Sequence, residues 1–226
     1  MAWILPLSTA VLSMVSFLLM LRDISEHKEL FHPETELTDR VKPLSAWAIV
    51  YCALMFAVTV AASVLFCTVY RDNGILMSLK RLALLSLLWP IAYIDFKTYR
   101  IPNAFILYGL LCRAVILALE MFFDSSFVWV TLISELIAAG GLLLASLLCG
   151  LCIKNSIGFG DMKLFLVMGL MLGLEGIWGA VFLSLIVSFF ISIYLMITKK
   201  KTRKDAIPFG PAIVIGTYLS VCLSGV

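Results

Sequence analysis

Two aspartates stand where apolar runs meet polar loops. Asp95 follows "LALLSLLWPIAYI", and Asp161 lies in "GFGDMKL". Charge beside lipid is costly and marks a candidate functional residue. Paired, two carboxyl groups suit amide hydrolysis. When they share a proton they cannot both ionise easily, so their affinities split and one stays protonated. The ionised group takes a proton from water. The protonated one donates to the peptide carbonyl, and a later step returns a proton to the leaving amine. A helix N-terminus at Asp161 would favour the anion, and the sequence assigns the proton to neither residue.

The neighbours of both aspartates fit a site. Gly158 and Gly160 flank Phe159 ahead of Asp161, and glycines permit unusual backbone angles and close approach of a substrate chain. Lys163 is two residues past Asp161, so on a helix it faces away from that carboxylate. Its expected partners are a substrate carboxylate, a lipid headgroup or a neighbouring loop. In "RIPN" (100–103) Pro102 disfavours helix at Ile101, so one helix ends there and Asn103 opens the next. "IPFGP" (207–211) places Pro208 and Pro211 around Gly210 at the start of the last apolar run. Breaks of this kind at membrane depth line a cavity or are covered by protein. Taken singly, each has a plainer reading: an aspartate at a span end as a solvated cap, a G-x-G-D as a loop, a Pro-Gly cluster as a helix start.

What must position these residues is a membrane domain. The 226-residue chain is 62% hydrophobic and 14% charged, against roughly a quarter charged in a soluble domain. Several runs approach or exceed the ~20 residues of a membrane-spanning helix. Backbone groups in lipid bond within their own segment, so the fold class is all-α: a polytopic helical membrane protein of about eight spans. The expected spans are 3–21, 45–69, 76–95, 103–122, 128–152, 161–175, 177–198 and 208–225. The first run lacks a basic leader region and is followed by Arg22, which reads as a retained span rather than a cleaved signal. Two regions are expected: residues 1–75, two spans with a cytoplasmic connector at 22–44, and residues 76–226, the membrane region that holds both aspartates.

Lys and Arg in short loops give the orientation. "KKKTRKDA" (199–206) faces the cytoplasm on this rule, and alternation puts 153–160, 96–102 and 22–44 on the same side. Both aspartates then lie at similar depth on the cytoplasmic face. Arg71, Lys80 and Arg81 break the pattern; either they snorkel or the second and third spans are misdrawn. The net charge of +3 sits in loops without a basic, aromatic-interleaved face, so no nucleic-acid partner is expected. "CGLC" (149–152) lacks the further ligands of a zinc site and reads as helix packing. His27 and His32, among Glu26, Glu29 and Glu34, read as a solvated connector rather than a metal site. No cofactor and no metal are expected.

The ordered set "DFKTYRIPN", "GFGDMKL" and "IPFGP", over roughly residues 76–225, resembles the type IV prepilin peptidase family of intramembrane aspartic proteases. The resemblance implies that Asp95 and Asp161 are the catalytic pair. It implies Gly158, Gly160, Lys163, Pro102, Asn103, Pro208, Gly210 and Pro211 as substrate-binding or site-supporting residues. The family removes the short basic leader of pilin-like precursors on the cytoplasmic side, usually just after a glycine, while the precursor's apolar helix stays in the membrane. The implied partners are such precursors and the lipid bilayer, and the implied location is an inner or cytoplasmic membrane of bacterial type. Many bacterial members also carry a zinc-binding domain with paired C-x-x-C motifs and methylate the new N-terminus. Residues 22–44 hold no cysteine, so the resemblance extends to neither zinc nor methyltransfer.

Two other classes stay open. A presenilin-like or signal-peptide-peptidase-like enzyme shares G-x-G-D but pairs it with Tyr-Asp and Pro-Ala-Leu motifs, where this chain has "YID" and "PFGP". A transporter or proton channel would also hold intramembrane aspartates, yet the internal repeats common in transporters are not visible. A non-catalytic assembly subunit ranks below these.

Overall fold

A computed structural model describes residues 3–27, 46–123, 128–152, 158–199 and 207–225. Most of the 22–44 connector with His32, the "IKNSI" stretch at 153–157 and the basic run at 200–206 lie outside the described residues. Among those described there are seven α-helices and no strand: α1 (Ile4–Glu26), α2 (Ala46–Thr68), α3 (Ile75–Thr98), α4 (Asn103–Phe123), α5 (Val128–Cys152), α6 (Phe159–Ile197) and α7 (Gly210–Ser224). Six of them are long and apolar enough to cross a bilayer, and α7 is a shorter apolar helix.

The central element is α3. Sixteen of its 24 residues are buried, on every face, as expected of a helix that is apolar all round. Pro90 sits inside it without ending it, since neighbouring helices re-satisfy freed backbone groups in membrane proteins. Neighbouring helices also bond its backbone near that point: the Tyr51 hydroxyl of α2 donates to the Trp89 carbonyl at 2.9 Å, and the Tyr218 hydroxyl of α7 donates to the Leu85 carbonyl at 2.9 Å. The outer helices keep wide apolar faces exposed, among them Leu7, Val11 and Leu18 of α1 and Leu107, Leu111 and Val115 of α4. Such stripes are solvated by lipid rather than water.

At 39 residues, roughly 58 Å at 1.5 Å per residue, α6 is too long to cross once. It is two antiparallel arms. The break is Gly173, with φ 66° and ψ −173°, a conformation essentially reserved for glycine. Before it, residues 159–172 run against α5: a side chain at Gly150 would meet Met162, one at Gly169 the Ala139 backbone, and one at Gly173 would meet Ser134. After it, residues 174–197 run back along α7, with Gly179 against Ser220 and Gly216 against Ser184. Small residues allow this close backbone approach, the usual device of packing inside membranes. Counting both arms gives eight alternating helical segments, in agreement with the eight spans read from the sequence.

The two ends of the bundle differ. One end gathers Asp95, Asp161, Gly210 and the last turns of α1, α3, α5 and α6. The other gathers Tyr70, Arg81, Lys80, Glu120, Glu135 and Gly225. There the sequence expectation for Lys80 and Arg81 is corrected. Both are only 3% exposed, and the spans on either side stand close to where they were drawn. They do not snorkel because partners meet them inside the protein. Lys80 Nζ lies 2.5 Å from Glu135 Oε1, and Arg81 Nη1 donates to the Gly225 carbonyl. Asn73 Nδ2 donates to the same carbonyl at 2.7 Å, and the Tyr70 hydroxyl to those of Cys222 and Leu223. Together they satisfy carbonyls that the end of α7 leaves without helical donors.

Candidate active site

α3 carries Asp95 to its last turn and stops there. Tyr99 takes a left-handed conformation (φ 53°, ψ 34°), and its N–H closes on the Asp95 carbonyl at 2.9 Å. Residues 100–102 are non-helical and α4 begins at Asn103, as Pro102 predicts. The Asp95 side chain is 6% exposed, and the backbone N–H of Gly210 donates to its Oδ2 at 2.7 Å. That donor is available because Gly210 opens α7, where first-turn N–H groups have no helical acceptor. Pro211 follows at a position where a helix loses nothing by lacking an N–H.

Asp161 is the third residue of α6, whose cap is Gly158. Its carboxylate accepts a hydrogen bond from the Gly158 backbone, the reach-back of a capping box. Each aspartate is therefore held by a glycine N–H at a helix start. The Asp95 charge acts on Asp161, so the two carboxylates, distant in the chain, lie within electrostatic reach of one another.

The glycines of "GFGD" do not use the unusual backbone angles expected of them. Neither Gly158 nor Gly160 has a positive φ, and Gly158 is plainly extended at φ −70°, ψ 144°. What they supply is space. A Cβ on Gly160 would lie 3.0 Å from Ile101 Cβ, and one on Gly158 3.3 Å from Asp161 Oδ2. Gly160 thus lets the α6 start close on the "RIPN" connection of the protein itself. Gly210 is tighter still: a Cβ there would lie 2.8 Å from Asp95 Oδ2 and 2.9 Å from Asp95 Cβ.

Two further contacts tie the motifs together. Exposed Lys163 donates to Asn103 Oδ1 at 2.9 Å, at the start of α4. Phe209, between Pro208 and Gly210, packs edge-to-face on Phe165 with centroids 6.0 Å apart, seating "IPFGP" on the arm that bears Asp161. Beside Asp95 an apolar cleft of about 500 Å³ lies between α2, α3 and α7, lined by Trp47, Tyr51, Ala92, Phe96, Lys97 and Pro211 among others. Cys149 and Cys152 lie exposed near the end of α5, whose helix continues through both.

Sequence reasoning passed over two groups. Arg100 Nη2 donates to both oxygens of Asp23, at 3.0 and 3.1 Å, tying the end of α1 to the connection after Asp95. Arg113, Glu120 and Glu135 form a buried network with Lys80 at the opposite end. The signal was present: Arg113 and Glu120 interrupt "ILYGLLCRAVILALEMFF" and Glu135 interrupts "VTLISELIAAGG". Ionisable residues inside spans merit a named partner from the outset.

The chain was compared with known proteins. It is 30% identical over 83 residues to the prepilin leader peptidase/N-methyltransferase of Bacillus subtilis (strain 168), an alignment covering 37% of this chain and 33% of that protein. The match thus spans a third of that relative's length. No solved structure matches. The model of the type IV leader peptidase family matches residues 82–197, which run from the core of α3 through both arms of α6 and include Asp95 and Asp161. With just over half of its length matched in this way, the chain belongs to the type IV leader peptidase family.

Proposed function

We propose that this protein is a membrane-embedded aspartic endopeptidase that removes the leader of pilin-like precursors, with Asp95 and Asp161 activating a water. The observation that carries the reading is the meeting of the two carboxylates at one end of the bundle, within electrostatic reach, inside the segment that matches the family. One carboxylate, ionised, takes the proton of a water placed between them. The other, protonated, donates to the scissile carbonyl, and the proton then passes to the leaving amine. The backbone donors Gly210 and Gly158 hold one oxygen of each group without adding charge of their own.

The same arrangement supports a side and a substrate class. The helix ends of α1, α3, α5 and α6 meet at the aspartate end, and the sequence that follows each of them carries most of the basic loop residues, which supports a cytoplasmic site on the positive-inside rule. The cleft beside Asp95 is apolar, as suits a peptide whose following segment is a membrane helix. Lys163, Asn103, Pro102, Pro208 and Pro211 support the pair rather than react.

The test is co-expression with a pilin-like precursor, following the leader by gel shift. Asp95→Asn and Asp161→Asn each abolish processing while the protein stays in the membrane. Normal cleavage by either variant removes the pair from the mechanism. Substrate or proton flux without any cleavage favours a transporter.

A further inference from the structure

In an unbroken helix the Leu174 N–H donates to the Leu170 carbonyl. Gly173 turns the chain off that path, and both groups find other partners. The Leu174 N–H donates to Ser134 Oγ at 3.1 Å. The Leu170 carbonyl accepts from Arg113 Nε at 3.2 Å. The same N–H is shared with Glu135 Oε2 at 2.7 Å. Arg113 Nη2 lies 2.5 Å from Glu135 Oε2 and Nη1 lies 3.0 Å from Glu120 Oε2. Lys80 Nζ completes the set, 2.5 Å from Glu135 Oε1 and 3.9 Å from Glu120 Oε1.

Two cations and two anions thus balance, and Lys80, Arg113 and Glu135 are all buried. A buried charge that leaves its partners loses several strong interactions at once, so the guanidinium is a fixed point. A serine or a water would suffice to satisfy one carbonyl. A locked guanidinium also fixes where that carbonyl stands.

We propose that Arg113, together with Ser134, positions Asp161 from the far end of its helical arm. Asp161 and Leu170 belong to one rod, so anchoring a carbonyl in the last turn of the rod sets the depth at which its first turn stands beside Asp95. The inference rests on the reading of Asp95 and Asp161 as the catalytic pair. Arg113 touches no reacting atom and acts only through the backbone of α6.

The test uses the full chain in lipid nanodiscs with a pilin-like precursor. Arg113→Gln/Glu120→Gln keeps the buried charge balanced, Lys80 against Glu135, and removes the cap. The expected result is a folded protein with KM within about twofold of the parent and kcat lower by roughly 10- to 100-fold, the loss typical of a misplacement of about 1 Å. Nitroxide labels at exposed Phe159 and Leu107 report the arm directly, and their distance distribution shifts or broadens in the double variant. Parent kcat, or an unchanged distribution, overturns the inference. Should the double variant not fold, Ser134→Ala takes its place: a severalfold fall in kcat at constant KM supports the positioning role, and an unchanged kcat overturns it. Asp95→Asn and Asp161→Asn in the same assay separate the two readings. If they cleave normally, the catalytic pair is wrong, and the label distances alone decide whether Arg113 anchors the arm.

Discussion

The Gly210 N–H donates to Asp95 Oδ2 at 2.7 Å, so the last helix of the bundle begins on the carboxylate that ends the third. The contact leaves no room for a side chain at residue 210, where a Cβ would stand within 3.2 Å of three Asp95 atoms. Gly210→Ala therefore pushes the carboxylate or the helix start aside by several tenths of an ångström. Precursor cleavage is expected to fall by roughly 10- to 100-fold in kcat/KM, with the protein still inserted and monodisperse. Steady-state assays on the purified variant check this, and parent-like activity would show that the site tolerates the displacement.

Gly173→Ala strains the reversal of α6. The backbone at φ 66°, ψ −173° suits glycine alone, and forcing another residue there costs about 1–3 kcal/mol. The new methyl group also lies 3.3 Å from Ser134 Oγ. Thermal unfolding in detergent should report a loss of that size, together with reduced cleavage. An unchanged midpoint would mean that the chain reverses elsewhere.

Within the buried network, Glu135→Gln should be the most damaging single change, because Glu135 meets both Lys80 and Arg113. Removing one member of a buried pair costs about 3–5 kcal/mol by leaving charge uncompensated. Lys80→Met should cost less, since Glu135 keeps Arg113. The order of the two melting temperatures is the observable, and the reverse order contradicts the pairing.

Lys163→Met and Asn103→Ala make the contrasting case. Their hydrogen bond is exposed, and such a bond contributes a net ~1 kcal/mol or less. Each variant should melt close to the parent and keep cleavage within about tenfold. If the two losses do not add, a double-mutant cycle measures the coupling between them.

Much of this arrangement was legible from residue types. Apolar runs placed seven of the eight segment starts close to where they lie, and Pro102 and Pro211 marked breaks because proline restrains its own backbone and that of the residue before it. Asp95 and Asp161 stood out because charge is scarce in such a chain. The reversal at Gly173 was placed two or three residues late, at a short loop, because a single glycine that turns a helix back needs Ser134 and Arg113 from other segments to make it tolerable. The network was missed for the same reason. Glu135 finds Lys80 and Arg113 at separations of 55 and 22 residues, and no local spacing encodes such a meeting. Lys80 and Arg81 therefore looked misplaced when each was answered from afar.

The hold of Gly210 on Asp95 also bears on biosynthesis. While the ribosome has yet to deliver residue 210, Asp95 is already in the bilayer without its donor. The carboxylate pair reaches its final geometry only after α7 has inserted, so a chain made only as far as α6 holds both carboxylates without the contact that fixes Asp95.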